Sequence, residues 1–149
     1  MAVPRSASSS RRRGAQILIA DENSATLEFF SRLVEDRGYA TLTADSGEAV
    51  LQSLRQLGEQ FGERYGHIVR VILLGDLMKP PIDGLDLIRR LRPYHIPIVV
   101  ATSYGADYAL LAKTAGAKVI IHKFADPAYV ITTIEQALQE RMFLGIPRR

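Results

Sequence analysis

The chain has 149 residues, of which 47% are hydrophobic and 23% charged. This length and composition predict one soluble globular domain with a substantial core. No apolar run approaches the ~18 residues of a membrane span, and no apolar segment follows the N-terminal arginines, which excludes a secretory signal. The absence of cysteine excludes disulfides, thiolate metal sites and thiol nucleophiles, and it is consistent with the cytoplasm, where we expect the protein to act.

The formal net charge of +3 comes from the two ends of the chain. Six arginines lie there: Arg5, Arg11, Arg12, Arg13, Arg148 and Arg149. Without these six positive charges the +3 becomes −3, so the body of the chain is mildly acidic. Residues 1–14 lack hydrophobic periodicity, which predicts a disordered basic arm, a folded domain over 15–144 and a short basic tail over 145–149. Four arginines are fewer charges than phosphate binding usually needs, so we expect a solvated arm; binding of nucleic acid through Arg11–Arg13 is the weaker alternative.

Strand and helix patterns alternate five times along the chain. Short apolar or β-branched runs predict strands at 16–20, 39–43, 71–74, 97–101 and 117–121. Apolar residues at helical spacing predict helices over 24–37, 46–61, 84–91 and 106–115, and a last helix from Pro127. Such alternation predicts an α/β fold with a parallel sheet covered on both faces and right-handed crossovers.

Several helix ends carry their own signals. Ser46 can cap the second helix, and Asp126-Pro127 is typical of a helix start. Gly38 and Gly116 indicate helix stops. The glycines Gly58, Gly62 and Gly66 are expected to end or fray the long second helix.

Polar side chains follow four of the five predicted strands. The first strand ends in Asp21-Glu22, the third in Asp76, the fourth in Thr102 and the fifth in Lys123. The carboxyl ends of parallel strands lie along one edge of the sheet, which is where ligands bind in open α/β folds. We therefore expect one pocket with three carboxylates, a hydroxyl and an ammonium group.

Three close carboxylates repel one another unless a cation is present, and an incomplete set of oxygen ligands suits Mg²⁺ with phosphate oxygens. The lysine and the threonine hydroxyl are suited to the oxygens of a transferred phosphoryl group, and the central Asp76 is the candidate nucleophile. An alternative for Asp76 taken alone is a loop residue that caps the next helix.

Other chemistries of doubly wound sheets lack their motifs here. No G-x-G-x-x-G follows the first strand, and the chain has neither a G-x-x-x-x-G-K-[ST] nor a G-x-S-x-G segment. Dinucleotide binding, P-loop chemistry and serine hydrolysis are therefore not expected. His67, His95 and His122 have no metal-ligand spacing and are interpreted as surface or loop residues.

From about Gln16 to Leu144 the chain resembles the receiver (response-regulator) domain of bacterial two-component signalling. The resemblance rests on I-L-I-A-D-E ending at Glu22, on D-L-M-K-P-P-I-D-G from Asp76 to Gly84, on P-I-V-V-A-T-S ending at Ser103, on A-G-A, and on Lys123. It implies a flavodoxin-like (βα)5 fold with strand order 2-1-3-4-5.

The resemblance also implies a function. Asp76 would accept a phosphoryl group from a phosphohistidine on a sensor histidine kinase or a histidine phosphotransfer protein. Asp21, Glu22, Asp76 and the backbone carbonyl of Met78 would bind Mg²⁺, while Thr102 and Lys123 would contact the phosphoryl oxygens. Such a domain catalyses its own phosphorylation and dephosphorylation, so it is a phosphoprotein switch rather than an enzyme with turnover. A downstream protein would bind the face of helix 4, strand 5 and helix 5, with a homodimer as a further option, and no output domain is expected in this chain.

Four features depart from the usual family pattern. The second acidic residue is Glu22 rather than aspartate, Phe124 replaces a cis proline after Lys123, and Ile120 replaces the aromatic switch residue. A cis peptide before Phe124 would cost about 2.5–4 kcal/mol. The second helix and its exit loop are also longer than usual. The changes at Glu22, Phe124 and Ile120 motivate an alternative function: a pseudo-receiver that binds a protein partner without being phosphorylated.

Overall fold

The computed structural model describes residues 16–62 and 68–144. Strands and helices alternate in the order β1 (Gln16–Ala20), α1 (Ser24–Glu35), β2 (Thr41–Ala44), α2 (Gly47–Phe61), β3 (Val69–Leu74), α3 (Gly84–Leu91), β4 (Ile98–Thr102), α4 (Ala106–Ala115), β5 (Val119–His122) and α5 (Pro127–Leu144). The predictions for the arm over 1–14, the tail over 145–149, Gly66 and His67 lie outside the described residues.

The five strands form one sheet in the order β2-β1-β3-β4-β5, and every neighbouring pair is parallel. The predicted flavodoxin-like (βα)5 architecture is therefore confirmed. The sheet separates two apolar clusters. One contains Leu54 of α2 and Ile88 of α3, and the other contains Phe30 of α1 and Ile134 of α5. The central strand β3 is buried on both sides, which explains its apolar sequence apart from the partly exposed Arg70 near its start.

Several element boundaries differ from prediction by one or two residues. Strand β4 begins at Ile98 because Pro97 has no amide hydrogen to donate. Strand β5 begins at Val119 because the amide of Ala117 donates to Ala112 O at 3.0 Å, at the end of α4. Strand β2 covers 41–44 rather than 39–43, β3 begins two residues early, and α1 stops at Glu35 because residues 36–38 form a turn.

The long second helix ends at Phe61, as predicted. Gly58 lies inside α2, whereas Gly62 follows its last residue with a φ of 63°, a conformation that favours glycine. At the start of the helix, the Ser46 side chain accepts a hydrogen bond from the amide of Ala49 at 3.1 Å, as predicted. Within residues 16–62 and 68–144, no helix combines the length and apolarity needed to cross a membrane.

Candidate functional site

Asp76 lies at the carboxyl edge of the sheet, two residues after the end of β3. Its Oδ1 accepts a hydrogen bond from the Thr102 hydroxyl at 2.7 Å. Its Oδ2 accepts from the Ser103 hydroxyl at 2.9 Å and from the Ser103 amide at 3.3 Å. The helix that follows is capped by Asp83, whose Oδ1 accepts from the amide of Asp86 at 2.9 Å. The interpretation of Asp76 as a helix cap is therefore wrong, and its carboxylate faces the ends of β4 and β5 instead.

Lys123 joins the two acidic strand ends. Its Nζ lies 2.8 Å from Asp21 Oδ2 and 3.1 Å from Asp76 Oδ2, and its side chain is only 9% exposed. Burial by itself lowers the pKa of Lys123, but the hydrogen bonds and charges of the two aspartates outweigh burial, so its pKa is raised. The lysine is thus a charged ammonium between two carboxylates at neutral pH.

The pKa of Asp76 shifts in the opposite direction. Burial alone would raise it, but the hydrogen bonds from Thr102, Lys123 and Ser103 together lower it below the usual aspartate value. The carboxylate therefore carries its negative charge at neutral pH, as a nucleophile requires.

Asp21 is almost completely buried because the backbone of the neighbouring strand end approaches it closely. Its side chain is 2% exposed, and its Oδ2 also accepts from the Asp76 amide at 3.1 Å. Its Oδ1 accepts from the Asn23 amide at 2.8 Å. A Cβ added at Gly75 would clash with the Asp21 carboxylate, so a larger residue there would displace that buried group. The glycine between β3 and Asp76 thus leaves room for the Asp21 side chain.

Glu22 faces the loop between β3 and α3. Its Oε2 accepts from the amides of Met78 and Lys79, both at 2.6 Å. The Glu22 amide in turn donates to Asp76 O at 3.4 Å. In this arrangement Glu22 binds backbone amides rather than sharing a cation position with the two aspartates.

Mg²⁺ would fit part of the predicted ligand set. Asp21 and Asp76 supply the hard carboxylate oxygens that this ion prefers, and they already share one cation, the Lys123 ammonium. Glu22 as placed does not complete the set. Across the described ranges, no three carboxylate, imidazole or thiol side chains form a group ready to hold a metal. The roles of these residues and of the Met78 carbonyl in metal binding stay predictions.

One residue of the site was missed by sequence reasoning. Ser103 donates two hydrogen bonds to Asp76, and its position directly after Thr102 at a strand end was the available signal. Thr102 Oγ1 has a second partner, since it accepts from the Tyr104 amide at 3.0 Å. The site therefore extends into the first residues of the loop after β4.

The structure also shows the surroundings of Ile120 and Phe124, which depart from the family pattern. Ile120 is partly buried and pairs with Val100 of β4. The Lys123–Phe124 peptide is trans, whereas Pro80–Pro81 is cis. The Phe124 amide donates to His122 Nδ1 at 3.1 Å, so no metal role is indicated for this histidine. The ring of Phe124 is 75% exposed.

An apolar groove opens beside the acidic site. It has a volume of about 440 Å³ and lies between α1 and the start of α5. Phe29, Phe30, Phe124 and Pro127 contribute most of its apolar wall, and Lys123 lines it as well. Lys123 thus lines the groove and also contacts Asp76 in the carboxylate cluster.

The sequence model of the response regulator receiver domain matches residues 17–135. The chain belongs to this family. Among curated proteins, the receiver domain is 28% identical over 133 residues to the response regulator GtcR of Aneurinibacillus migulanus, which covers 88% of this chain and 50% of GtcR. It is 26% identical over 144 residues to the sensory/regulatory protein RpfC of Xanthomonas campestris pv. campestris, covering 92% of this chain and 18% of RpfC. The chain thus spans half or less of the length of these relatives.

Solved receiver domains share the fold. A receiver domain from Clostridium thermocellum is 27% identical with a TM-score of 0.71, covering 87% of this chain and 98% of that one. A CheY-like receiver domain from Methanospirillum hungatei is 22% identical with a TM-score of 0.72, covering 88% and 98%. The chain is therefore a response regulator receiver domain of two-component signalling.

Proposed function

We propose that this receiver domain is a phosphoacceptor switch in which Asp76 accepts a phosphoryl group with the help of Mg²⁺. The observation that carries the proposal is the environment of one carboxylate. Asp76 lies at the end of the central strand and accepts hydrogen bonds from Thr102, Ser103 and Lys123. Three donors around one ionised carboxylate form a site that can hold the additional oxygens of a phosphoryl group.

In the proposed reaction, one Asp76 oxygen attacks the phosphorus atom of a phosphohistidine. The new O–P bond forms as the P–N bond breaks, and the imidazole nitrogen leaves with the electron pair. The Lys123 ammonium and the hydroxyls of Thr102 and Ser103 then stabilise the negative oxygens of the aspartyl phosphate. Mg²⁺ bound at Asp21 and Asp76 would neutralise further charge on these oxygens. Water attack on the same phosphorus returns Asp76 to its starting state, so the domain acts as a switch rather than as an enzyme with turnover.

The predicted partners follow from this chemistry. The donor is a sensor histidine kinase or a histidine phosphotransfer protein, and the cytoplasm is the proposed place of the exchange. The groove of Phe29 and Phe124 is a suitable docking surface for the donor because it reaches Lys123 at the edge of the site. A downstream protein, or a second copy of the chain, would bind the face of α4, β5 and α5, where Leu110 and Leu111 are exposed.

Phosphorylation is tested by intact-mass spectrometry after incubation with acetyl phosphate and Mg²⁺. We expect one acid-labile phosphate on the wild-type chain and none on Asp76→Asn. Asp107→Asn, which changes an exposed aspartate in the first turn of α4, is the matched control and should be phosphorylated normally. An adduct that survives Asp76→Asn, or no adduct on the wild type, would refute the proposal.

A second function is favoured by the conformation of Glu22. Because its carboxylate binds backbone amides, the described arrangement also suits a pseudo-receiver that binds its partner without phosphorylation. In that case partner affinity would not change in Asp76→Asn or after addition of beryllofluoride. A phosphate-dependent switch instead predicts a change in affinity with beryllofluoride that Asp76→Asn abolishes.

A further inference from the structure

The loop between β3 and α3 is contacted by two acidic residues, Asp21 and Glu22, of the loop between β1 and α1. Asp21 accepts from the amide of Asp76, and Glu22 accepts from the amides of Met78 and Lys79. Two successive amides that converge on one carboxylate oxygen form an anion-binding nest. Here a side chain of the chain itself occupies that nest, at a short distance of 2.6 Å for each amide.

The amide of Lys79 and the carbonyl of Met78 belong to the same peptide group. In a trans peptide the N–H and the C=O point in opposite directions. Because the Lys79 N–H points toward Glu22 Oε2, the Met78 oxygen points away from that carboxylate oxygen. With standard bond lengths, the two oxygens are then separated by roughly 4–5 Å. Adjacent ligands of one Mg²⁺ lie only about 3 Å apart, since each Mg–O bond is about 2.1 Å.

This geometry places the predicted Met78 ligand and Glu22 Oε2 on opposite sides of one peptide. Both cannot be neighbouring ligands of one ion while the hydrogen bond from Lys79 persists. Glutamate also suits this role by its length, because an aspartate at position 22 is one methylene shorter and would not reach the two amides from the same backbone position. The glutamate that replaces the usual aspartate at position 22 thus has the length that its contacts with the β3–α3 loop require.

We propose that Glu22 is a positioning residue that holds the β3–α3 loop and orients the Met78 carbonyl, and that the oxygen that accepts from the two amides, Oε2, is not a ligand of Mg²⁺. This inference deepens the proposed function, since the loop carries the predicted backbone ligand of the metal site. It assigns metal binding to Asp21, Asp76 and the oriented carbonyl.

The first test measures solvent exchange of the Met78 and Lys79 amides by NMR on the full chain. Glu22→Asp should accelerate exchange at both amides by about tenfold because the shortened carboxylate loses them. Glu22→Gln keeps the length and should accelerate it less, by about fivefold, since a neutral oxygen is the weaker acceptor. Glu28→Gln is the control, because Glu28 forms its ion pair with the exposed Arg32 on the surface of α1. Exchange in Glu22→Asp that equals the wild-type rate would overturn the positioning role.

The second test adds saturating Mg²⁺ to the wild-type chain. If Glu22 Oε2 stays on the two amides when Mg²⁺ binds, their exchange should change less than about twofold, whereas movement of Oε2 to the ion would release the amides and accelerate exchange about tenfold. Mg²⁺ affinity is then compared between Glu22→Gln and Asp21→Asn, which remove the same charge. Asp21→Asn should weaken affinity about tenfold more, and equal losses would overturn the inference. Neither measurement uses a phosphodonor, so their failure is distinguishable from a failure of Asp76 phosphorylation.

Discussion

The ammonium group of Lys123 lies between Asp21 and Asp76, and its removal leaves two largely buried carboxylates without their shared cation. The methionine variant Lys123→Met keeps most of the side-chain volume and removes only the charge and its hydrogen bonds. The two carboxylates are 2% and 13% exposed, so water can replace little of the lost interaction. We therefore expect the folded state to be clearly less stable.

The expected loss follows from the burial of the pair. Removing one partner of a buried ion pair costs about 3–5 kcal/mol. Asp76 keeps its hydrogen bonds from Thr102 and Ser103, and the site lies at an open edge of the sheet. Because these bonds remain in the variant, the expected loss in the free energy of unfolding is smaller than that range, about 2–3 kcal/mol near neutral pH.

The stability lost in Lys123→Met should depend on pH in one direction. In the wild type the pKa of Asp76 is lowered, so its contribution to stability is present above the usual aspartate pKa and is lost as the pH falls through the folded value. The pKa of Lys123 is raised, so its contribution is present below 10.5 and is lost as the pH rises through the folded value. Between these limits the wild-type contribution is constant. The variant loses the hydrogen bond from Lys123 that lowers the pKa of Asp76 while burial still raises it, so we expect a higher pKa and easier protonation of Asp76 as the pH falls.

Urea denaturation followed by circular dichroism at about pH 7.5 and about pH 5 measures this effect. The difference in unfolding free energy between the wild type and Lys123→Met should be about 1 kcal/mol smaller at the lower pH. Lys118→Met is the control: its ion pair with Glu140 is 2.6 Å long but exposed, so its loss should cost at most about 1 kcal/mol at both pH values. A Lys123→Met deficit that matches the control, or that is equal at both pH values, would refute the electrostatic account.

Two further predictions concern the same edge of the sheet. Gly75→Ala should destabilise the fold by about 2–4 kcal/mol, because the new methyl group displaces the buried Asp21 carboxylate. Its control Gly58→Ala, in open space on a helix, should stabilise the fold by about 0.5–1 kcal/mol. Thermal unfolding measures both variants, and an unchanged stability of Gly75→Ala would contradict the close approach of Gly75 to Asp21. Thr102→Ala should shorten the lifetime of the phosphate on Asp76 or reduce its yield about tenfold, because the hydroxyl hydrogen bond is lost. Thr102→Ser keeps the hydroxyl and should restore the lifetime and the yield. Intact-mass measurements over time compare the two variants, and equal behaviour would show that the hydroxyl is not required.

The grouping of Asp21, Asp76, Thr102 and Lys123 was predictable because it depends only on topology. Each residue follows a strand of a parallel sheet, and parallel strands bring their carboxyl ends to one edge. No knowledge of loop conformation was needed for this grouping. The fold class was predictable for the same reason, since it rests on the alternation of periodic segments.

The behaviour of Glu22 was not predictable in this way. Its hydrogen bonds depend on the path of residues 76–79, and side-chain length becomes decisive only when that path is known. The starts of β4 and β5 were misplaced for a related reason. Pro97 cannot donate to a neighbouring strand, and the amide of Ala117 is already bonded to α4, but apolar composition alone does not report either hydrogen bond.

The most direct test of the account is to locate the phosphate in the sequence. Borohydride reduces an aspartyl phosphate to homoserine, and peptide mass spectrometry identifies the position of the new residue. After phosphorylation with Mg²⁺ and a small phosphodonor, the account predicts homoserine at position 76 and unmodified aspartate at position 21. Homoserine at position 21, or no reduction product in protein that remains folded, would contradict the assignment of Asp76 as the phosphoryl acceptor.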